Sequence, residues 1–451
     1  MTIDLYYLPQ SAPCRAVILT ANAVGVQLNL KYLELFKGEH MTPQYLKLNP
    51  QHTVPTLDDN GFTLGESRAI ICYLVEQYAK DDSLYPKEAK KRALVNHKLY
   101  FDATTLNQRF LNYYVPIMFE GAEPVPAQYK KLEEAYEIFD KFLEGQTWAA
   151  GDHLTIADLA LVATVSSAEI LGFDITKYPN VSKWFAKAKK SIPKYEELNH
   201  AGCLKFKEMY ENLTKKKTTA VVRLADVHRA FCESSMPIDL YYVLASPPCR
   251  SVLLLAKALK IELNLKVTDL SKGENRTPEF LKLNPQHAIP TINDNGFSLG
   301  ESRAILAYLV NQYGKDDSLY PKDPKKRATV DQRLYFDIGK LTAGFLDYYL
   351  YPIMFTGSVG EKVHLDKLED AFSILDKFLE GQTWVAGDSI TIADYSIVST
   401  VSSIEALGFD VNKYPNVAKW YSRAQKTMIG YKEINEEGAR QLGESFKKLR
   451  K

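Results

Sequence analysis

The chain repeats itself once along its length, and this constrains the fold more than any other feature. Residues 46–52 (LKLNPQH) recur at 281–287 and residues 65–70 (GESRAI) at 300–305, each 235 positions later. Residues 140–148 (DKFLEGQTW) recur at 376–384 and residues 177–181 (KYPNV) at 413–417, now 236 positions later. One residue has therefore been added to the second copy. It falls near Leu350-Tyr351, where Tyr114-Val115-Pro116 becomes Tyr349-Leu350-Tyr351-Pro352. The period is far longer than the roughly 20–50 residues of solenoid repeats, so it predicts two whole globular units. Residues 214–235 have no counterpart in either copy and are expected to form a linker. A flexible chain of that length spans about 25 Å, although residues 222–231 are apolar enough for a short helix. Met236 then opens the second copy as Met1 opens the first.

Composition excludes several classes. Of 451 residues, 46% are apolar and 25% charged, which supplies a core and argues against global disorder. With 56 basic and 55 acidic residues the net charge is +1, so neither nucleic acid nor a membrane surface is the expected partner. No apolar run approaches the ~20 residues of a spanning helix. The opening Met1-Thr2-Ile3-Asp4 lacks the basic region of a secretory leader. Five cysteines, an odd number without ligand spacing, predict reduced thiols in the cytoplasm and no metal site.

Each copy divides again. Residues 1–80 and 236–315 mix strand and helix signals; residues 87–213 and 322–451 keep a helical period. In the first copy, residues 4–8 and 28–35 read as strands, with a helix over 12–24 between them. That helix has Ser11 at its N-cap and Pro13 in its first turn. Residues 54–64 hold two short strands about the turn Asp59-Asn60-Gly61, and residues 67–78 return to helical spacing. The expected fold is therefore α/β plus all-α, duplicated, each unit a mixed sheet with flanking helices followed by a helical domain. Thr155-Ile156-Ala157-Asp158 has the spacing of a capping box, with Leu154 and Leu159 placed as a hydrophobic staple. Thr391 and Asp394, with Ile390 and Tyr395, repeat it. Asp158 and Asp394 thus read as caps, not catalytic acids.

Three motifs could carry chemistry. Ser11-Ala12-Pro13-Cys14-Arg15 follows the first strand and opens the first helix, where backbone N–H groups and the helix dipole favour an anion. The second copy has Ser246-Pro247-Pro248-Cys249-Arg250. Gly-x-Ser-x-Gly is absent, so this is not a hydrolase elbow. Serine in the first place of a Cys-x-x-Cys spacing removes a dithiol cycle. The bland alternative is a plain N-cap, with Cys14 and Cys249 as small apolar core residues. Second, Val54-Pro55-Thr56 places proline at a strand entry, where a cis bond would turn the Val54 backbone towards an extended ligand; an ordinary edge-strand proline is the alternative. Third, Glu66-Ser67-Arg68 offers a carboxylate for an ammonium and a helix N-terminus for a carboxylate, or else a cap and a surface ion pair.

Taken together, these motifs resemble the glutathione transferases, and the insect delta class most of all. The resemblance rests on Tyr-Tyr-Leu-Pro-x-Ser-Ala-Pro-Cys-Arg, Leu-Asn-Pro-Gln-His-x-x-Pro-Thr-Leu, Asp-Asn-Gly-Phe…Glu-Ser-Arg-Ala-Ile and the Thr-Ile-Ala-Asp box. It covers both copies and leaves out only the linker. It implies a thioredoxin-like, glutathione-binding N-terminal domain and a helical C-terminal domain in each copy, with glutathione as co-substrate. Ser11 would donate to the glutathione sulfur and favour the thiolate, which attacks a small apolar electrophile. Pro55 would be cis, with the Val54 backbone pairing to the cysteinyl unit. Glu66, Ser67 and Arg68 would hold the γ-glutamyl end, and His40 and His52 the glycyl carboxylate. The second copy supplies Ser246, Ile289, Pro290, Glu301, Ser302, Arg303 and His287, but has Asn275 in the place of His40. Gln10 and Ala245 stand where the class usually has glycine.

The electrophile pocket is expected from Phe110, Tyr113, Tyr114, Phe119, Phe206 and Tyr210 in the first copy. Tyr348, Tyr349, Phe355, Leu442 and Phe446 are its expected lining in the second. Family members pair as dimers, so the two halves are expected to pair within one chain or with those of a second chain. Two alternatives stay open: one catalytic half beside a non-catalytic partner, or a non-enzymatic ligand-binding or structural relative.

Overall fold

The computed structural model describes residues 3–214 and 238–450, which form two compact units. Apart from Thr214, the expected linker lies outside the described residues, together with its suggested helix and Met236.

In the first unit, β1 (Ile3–Tyr7), α1 (Ala12–Val24) and β2 (Leu28–Tyr32) are followed by α2 (Pro43–Leu48), β3 (Thr56–Asp59), β4 (Phe62–Gly65) and α3 (Ser67–Tyr78). The sheet order is β2-β1-β3-β4. β1 runs parallel to β2 and antiparallel to β3, and Leu5 is opposite both Leu30 and Leu57. Ile3 and Leu5 alternate inward, as a half-buried strand requires. Two details depart from the sequence reading. β2 stops at Tyr32, because the chain then leaves the sheet through single 3₁₀ turns at Leu35–Lys37 and Glu39–Met41. The short helix α2 was not anticipated, although Thr42 caps it and Pro43 occupies its first position.

The helical domain holds α4 (Ala89–Phe101), α5 (Asn107–Val115), α6 (Pro126–Phe142), α7 (Ile156–Ile170), α8 (Pro179–Ser191) and α9 (Ala201–Thr214). α4 and α5 are joined without a break by a π turn at Asp102–Leu106, and a second π turn at Pro116–Glu120 ends the run. α7 is buried along nearly its whole length, as the central helix of a bundle must be. Its capping box forms as the spacing requires. Asp158 accepts from the Thr155 amide at 2.9 Å, and also from the Ala149 amide and Trp184 Nε1 at 2.8 Å. The carboxylate thus ties three parts of the domain together.

The second unit repeats this plan: β5 (Ile238–Tyr242), α10 (Pro247–Leu259), β6 (Leu263–Val267), α11 (Pro278–Leu283), β7 (Thr291–Asp294), β8 (Phe297–Leu299) and α12 (Ser302–Tyr313). Its sheet order is β6-β5-β7-β8. The helical domain follows as α13 (Pro324–Phe336), α14 (Ala343–Phe345), α15 (Tyr351–Thr356), α16 (Lys362–Phe378), α17 (Ile392–Ala406), α18 (Pro415–Thr427) and α19 (Glu437–Leu449). The added residue has a local consequence. The second π turn falls at Leu346–Leu350, ahead of the shared proline instead of at it. One extra residue turns the following side chains by about 100° around the axis. Met118 is buried in the first unit, whereas its counterpart Met354 is 55% exposed and Ile353 is buried instead.

Candidate glutathione site

Ser11 sits at the end of the turn that leaves β1. Its amide donates to the Leu8 carbonyl at 3.0 Å, and its backbone is extended before α1 begins. Its hydroxyl accepts from the Cys14 amide over 3.4 Å, a long cap bond. Ser246 has the same backbone conformation, and its side chain makes no cap bond. Both serines remain partly exposed, so their hydroxyls can turn to a ligand lying at the helix N-terminus. Cys14 and Cys249 are fully buried, and burial pushes both thiols up to about 11. They are packing residues.

The Val54-Pro55 and Ile289-Pro290 bonds are both cis. Each proline immediately precedes the strand that pairs with the first strand of its sheet. At the same end of the sheet lie Glu66 and Glu301, between the last strand and the third helix, with backbone φ of 67° and 62°. Such angles are uncommon outside glycine and asparagine, and such strain gathers at binding sites. Gln51 Nε2 donates to Glu66 Oε1 at 2.7 Å, and Gln286 Nε2 to Glu301 Oε1 at 2.9 Å. Gln51 and Gln286 are buried and fix the carboxylates, a role that the repeated Asn-Pro-Gln-His motif does not by itself reveal.

Ser67 and Ser302 are the first residues of α3 and α12. Arg68 donates to Ser67 Oγ at 2.9 Å and to buried Asp102 of the helical domain. Arg303 donates to Ser302 Oγ, to Asp337, and to Thr342 Oγ1 at 3.2 Å. These arginines are directed between the two domains of a unit. Asp102 and Asp337 were missed; the available signal was their recurrence after Phe101 and Phe336 at the repeat spacing.

The histidine corner differs between the units. His40 and His52 have ring centroids 6.4 Å apart, and buried His40 Nδ1 has no hydrogen-bond partner. In the second unit Asn275 Nδ2 donates to the His287 carbonyl at 2.6 Å. The asparagine is engaged by backbone where the histidine nitrogen is not.

Of the expected pocket residues, Phe110, Tyr114 and Phe206 belong to the buried core of the helical domain, with Tyr113 and Tyr210 packed against it. Phe110–Tyr114 and Tyr114–Tyr210 are in ring contact at 4.8 and 5.9 Å. In the second unit Tyr349, Leu442 and Phe446 are buried and Tyr348 is half-buried. Phe119 and Phe355 stand out from these cores, 49% and 80% exposed. Among the described residues no group of three or more His, Cys, Asp or Glu is placed to hold a metal, and no helix is long and apolar enough to cross a membrane.

The mixed four-stranded sheet, the serine at its first helix and the helical domain that follows define a thioredoxin-like unit joined to a helical domain, and this unit occurs twice. Residues 5–82 and 240–317 match the glutathione S-transferase N-terminal domain, and residues 104–189 and 346–426 match the glutathione S-transferase C-terminal domain. The chain belongs to the glutathione S-transferase family, as a tandem of two such domain pairs, and is a glutathione transferase. A delta-class glutathione transferase of Nilaparvata lugens is 54% identical, with a TM-score of 0.46, over 47% of this chain and 100% of that one. A Bombyx mori glutathione transferase is 44% identical over 46% of this chain and 98% of that one, with a TM-score of 0.46. A glutathione transferase homologue of Drosophila mojavensis, solved with bound glutathione, is 37% identical over 47% of this chain and 97% of that one, TM-score 0.45.

Proposed function

We propose that both halves conjugate glutathione to small apolar electrophiles, each with its own site. The observation that carries this reading is the double occurrence of one arrangement: a partly exposed serine at the first helix, a cis proline at the entry of a central strand, and a Gln-held glutamate at the third helix. Residues 1–80 and 236–315 would bind glutathione; residues 87–213 and 322–451 would supply the wall for the electrophile.

In the first half, Glu66 pairs with the γ-glutamyl ammonium and the α3 N-terminus at Ser67 receives the γ-glutamyl carboxylate. Arg68 positions that corner through Asp102. The Val54 backbone pairs with the cysteinyl unit, and His52 and His40 meet the glycyl carboxylate. The Ser11 hydroxyl donates to the sulfur. A free thiol ionises near 8.5, and each unit of lowering is about 1.4 kcal/mol. One charge-assisted hydrogen bond with the α1 amides accounts for one to two such units, order of magnitude. The thiolate attacks the electrophilic carbon, a sulfur–carbon bond forms, and the leaving group departs with its electron pair. Ser246, Ile289, Pro290, Glu301 and Ser302 do the same in the second half, with Arg303 positioned by Asp337 and with His287 beside Asn275.

A detoxifying role in the cytoplasm fits conjugation of apolar electrophiles and the four described cysteines, which are buried and form no disulfide. The resemblance also supports pairing of units within one chain or between two, which the mass in solution distinguishes. The test of the activity is turnover of glutathione with a general aryl halide, followed against pH. The expected rate profile rises with an apparent pKa below that of the free thiol. Glutathione binding without turnover would overturn the reading and leave a ligand-binding protein.

A further inference from the structure

Besides the buried Arg92–Glu76 ion pair near its start, the long helical run of the first unit meets the thioredoxin-like domain at two further places. One is Arg68 on Asp102. The other lies some 17 residues on, roughly 25 Å at helical rise. There the ring of Phe119, in the last π turn, lies 6.1 Å from the ring of Phe36. Phe36 belongs to the 3₁₀ turn after β2, four residues before His40, and is 70% exposed. Two phenylalanines so exposed are costly in water unless something apolar covers them.

The second unit keeps the first tie, Arg303 on Asp337, and lacks the other. Ser271 stands in the place of Phe36, between Leu270 and Lys272 as Phe36 stands between Leu35 and Lys37. Phe355 does not reach across the cleft. Its ring stacks 6.4 Å from Tyr351 on its own helix, in the segment that carries the added residue. A side-chain replacement and an insertion, independent events in sequence, have the same outcome.

We propose that Phe36 is a specificity-determining residue of the first half. With Phe119 it closes the far end of the electrophile cleft, so that this site selects compact, planar aromatic electrophiles that slide against both rings. The second half, open at that end, takes longer aliphatic electrophiles. The inference rests on the reading that both halves conjugate glutathione.

The test isolates each site in the full chain: Ser246→Ala to observe the first, Ser11→Ala to observe the second. In the Ser246→Ala chain, Phe36→Ser should raise KM for an aryl halide about three- to tenfold, the worth of one aromatic contact. KM for glutathione should hold, and preference should move towards a long-chain alkenal. The Ser11→Ala chain should already prefer the alkenal. An aryl halide KM within about twofold of its parent, by the same arithmetic, would overturn the role of Phe36. Far-UV circular dichroism confirms the fold of the variant. If the Ser11→Ala, Ser246→Ala double variant keeps the parental rate, the two-site reading itself falls and carries this inference with it, a failure distinct from a silent Phe36→Ser.

Discussion

Arg68 of α3 donates to Asp102 at the start of the π turn in the helical domain, and both side chains are almost wholly shielded from water. Arg303 and Asp337 repeat the pair in the second unit. Removing one partner of a buried ion pair strands the other charge, at about 3–5 kcal/mol. Asp102→Ala should therefore lower the stability of the first unit by about that much. Asp337→Ala should cost at least as much, because Ser396 Oγ also donates to Asp337 at 2.6 Å and would be left stranded with Arg303. Denaturant midpoints measure both; unchanged midpoints would show that the pairs do not bind the domains together.

Much of this was legible in the sequence. The repeat spacing alone separates the two units, and the turn at Asp59-Asn60-Gly61 places the hairpin of β3 and β4. The capping boxes read correctly because the interaction is local, three residues apart. What failed was not local. Asp102 lies 34 residues from Arg68 and in another domain, so its recurrence as Asp337 marks the position but not its partner. The end of β2 depends on where its neighbour β1 ends, a tertiary matter. The insertion near Leu350 was visible, yet its effect, exchanging Met118 for Ile353 as the buried residue, follows from helix geometry and cannot be counted off a one-dimensional string.

Asp158 and Asp394 are structural. Each accepts from its own cap, from a remote amide and from a tryptophan. Changing either to alanine should cost about 2–4 kcal/mol, a lost cap plus stranded buried donors. The conjugation rate per folded molecule should stay the same. A rate loss without a stability loss would make them catalytic instead.

Lys98 is buried with its ammonium 3.8 Å from the Phe142 ring centroid and 3.3 Å from His97 Nδ1. Burial pushes it down to about 7. An unfolded lysine holds its proton to about 10.4. Between these values the unfolded chain binds more protons, so this residue makes stability rise with pH across that window. Lys98→Met should raise the unfolding midpoint at pH 6, and its advantage should shrink steadily towards pH 10. A constant difference across that range would contradict the assignment.

The histidine corner predicts unequal glutathione binding. His40→Asn should raise KM for glutathione at the first site, and Asn275→His should lower it at the second, each about three- to tenfold, the worth of one hydrogen bond to the glycyl carboxylate. Single-site chains report the two values separately. Equal KM values in the unaltered sites would remove the basis for the difference.

The most direct measurement of the central claim is the aryl halide conjugation rate of the wild type, Ser11→Ala, Ser246→Ala and the double variant, at saturating glutathione. Two independent sites predict that each single change removes part of the rate, that the two losses sum to the whole, and that the double variant is nearly inert. If one single change abolishes the rate while the other leaves it untouched, only one half conjugates glutathione and the claim of two working sites is wrong.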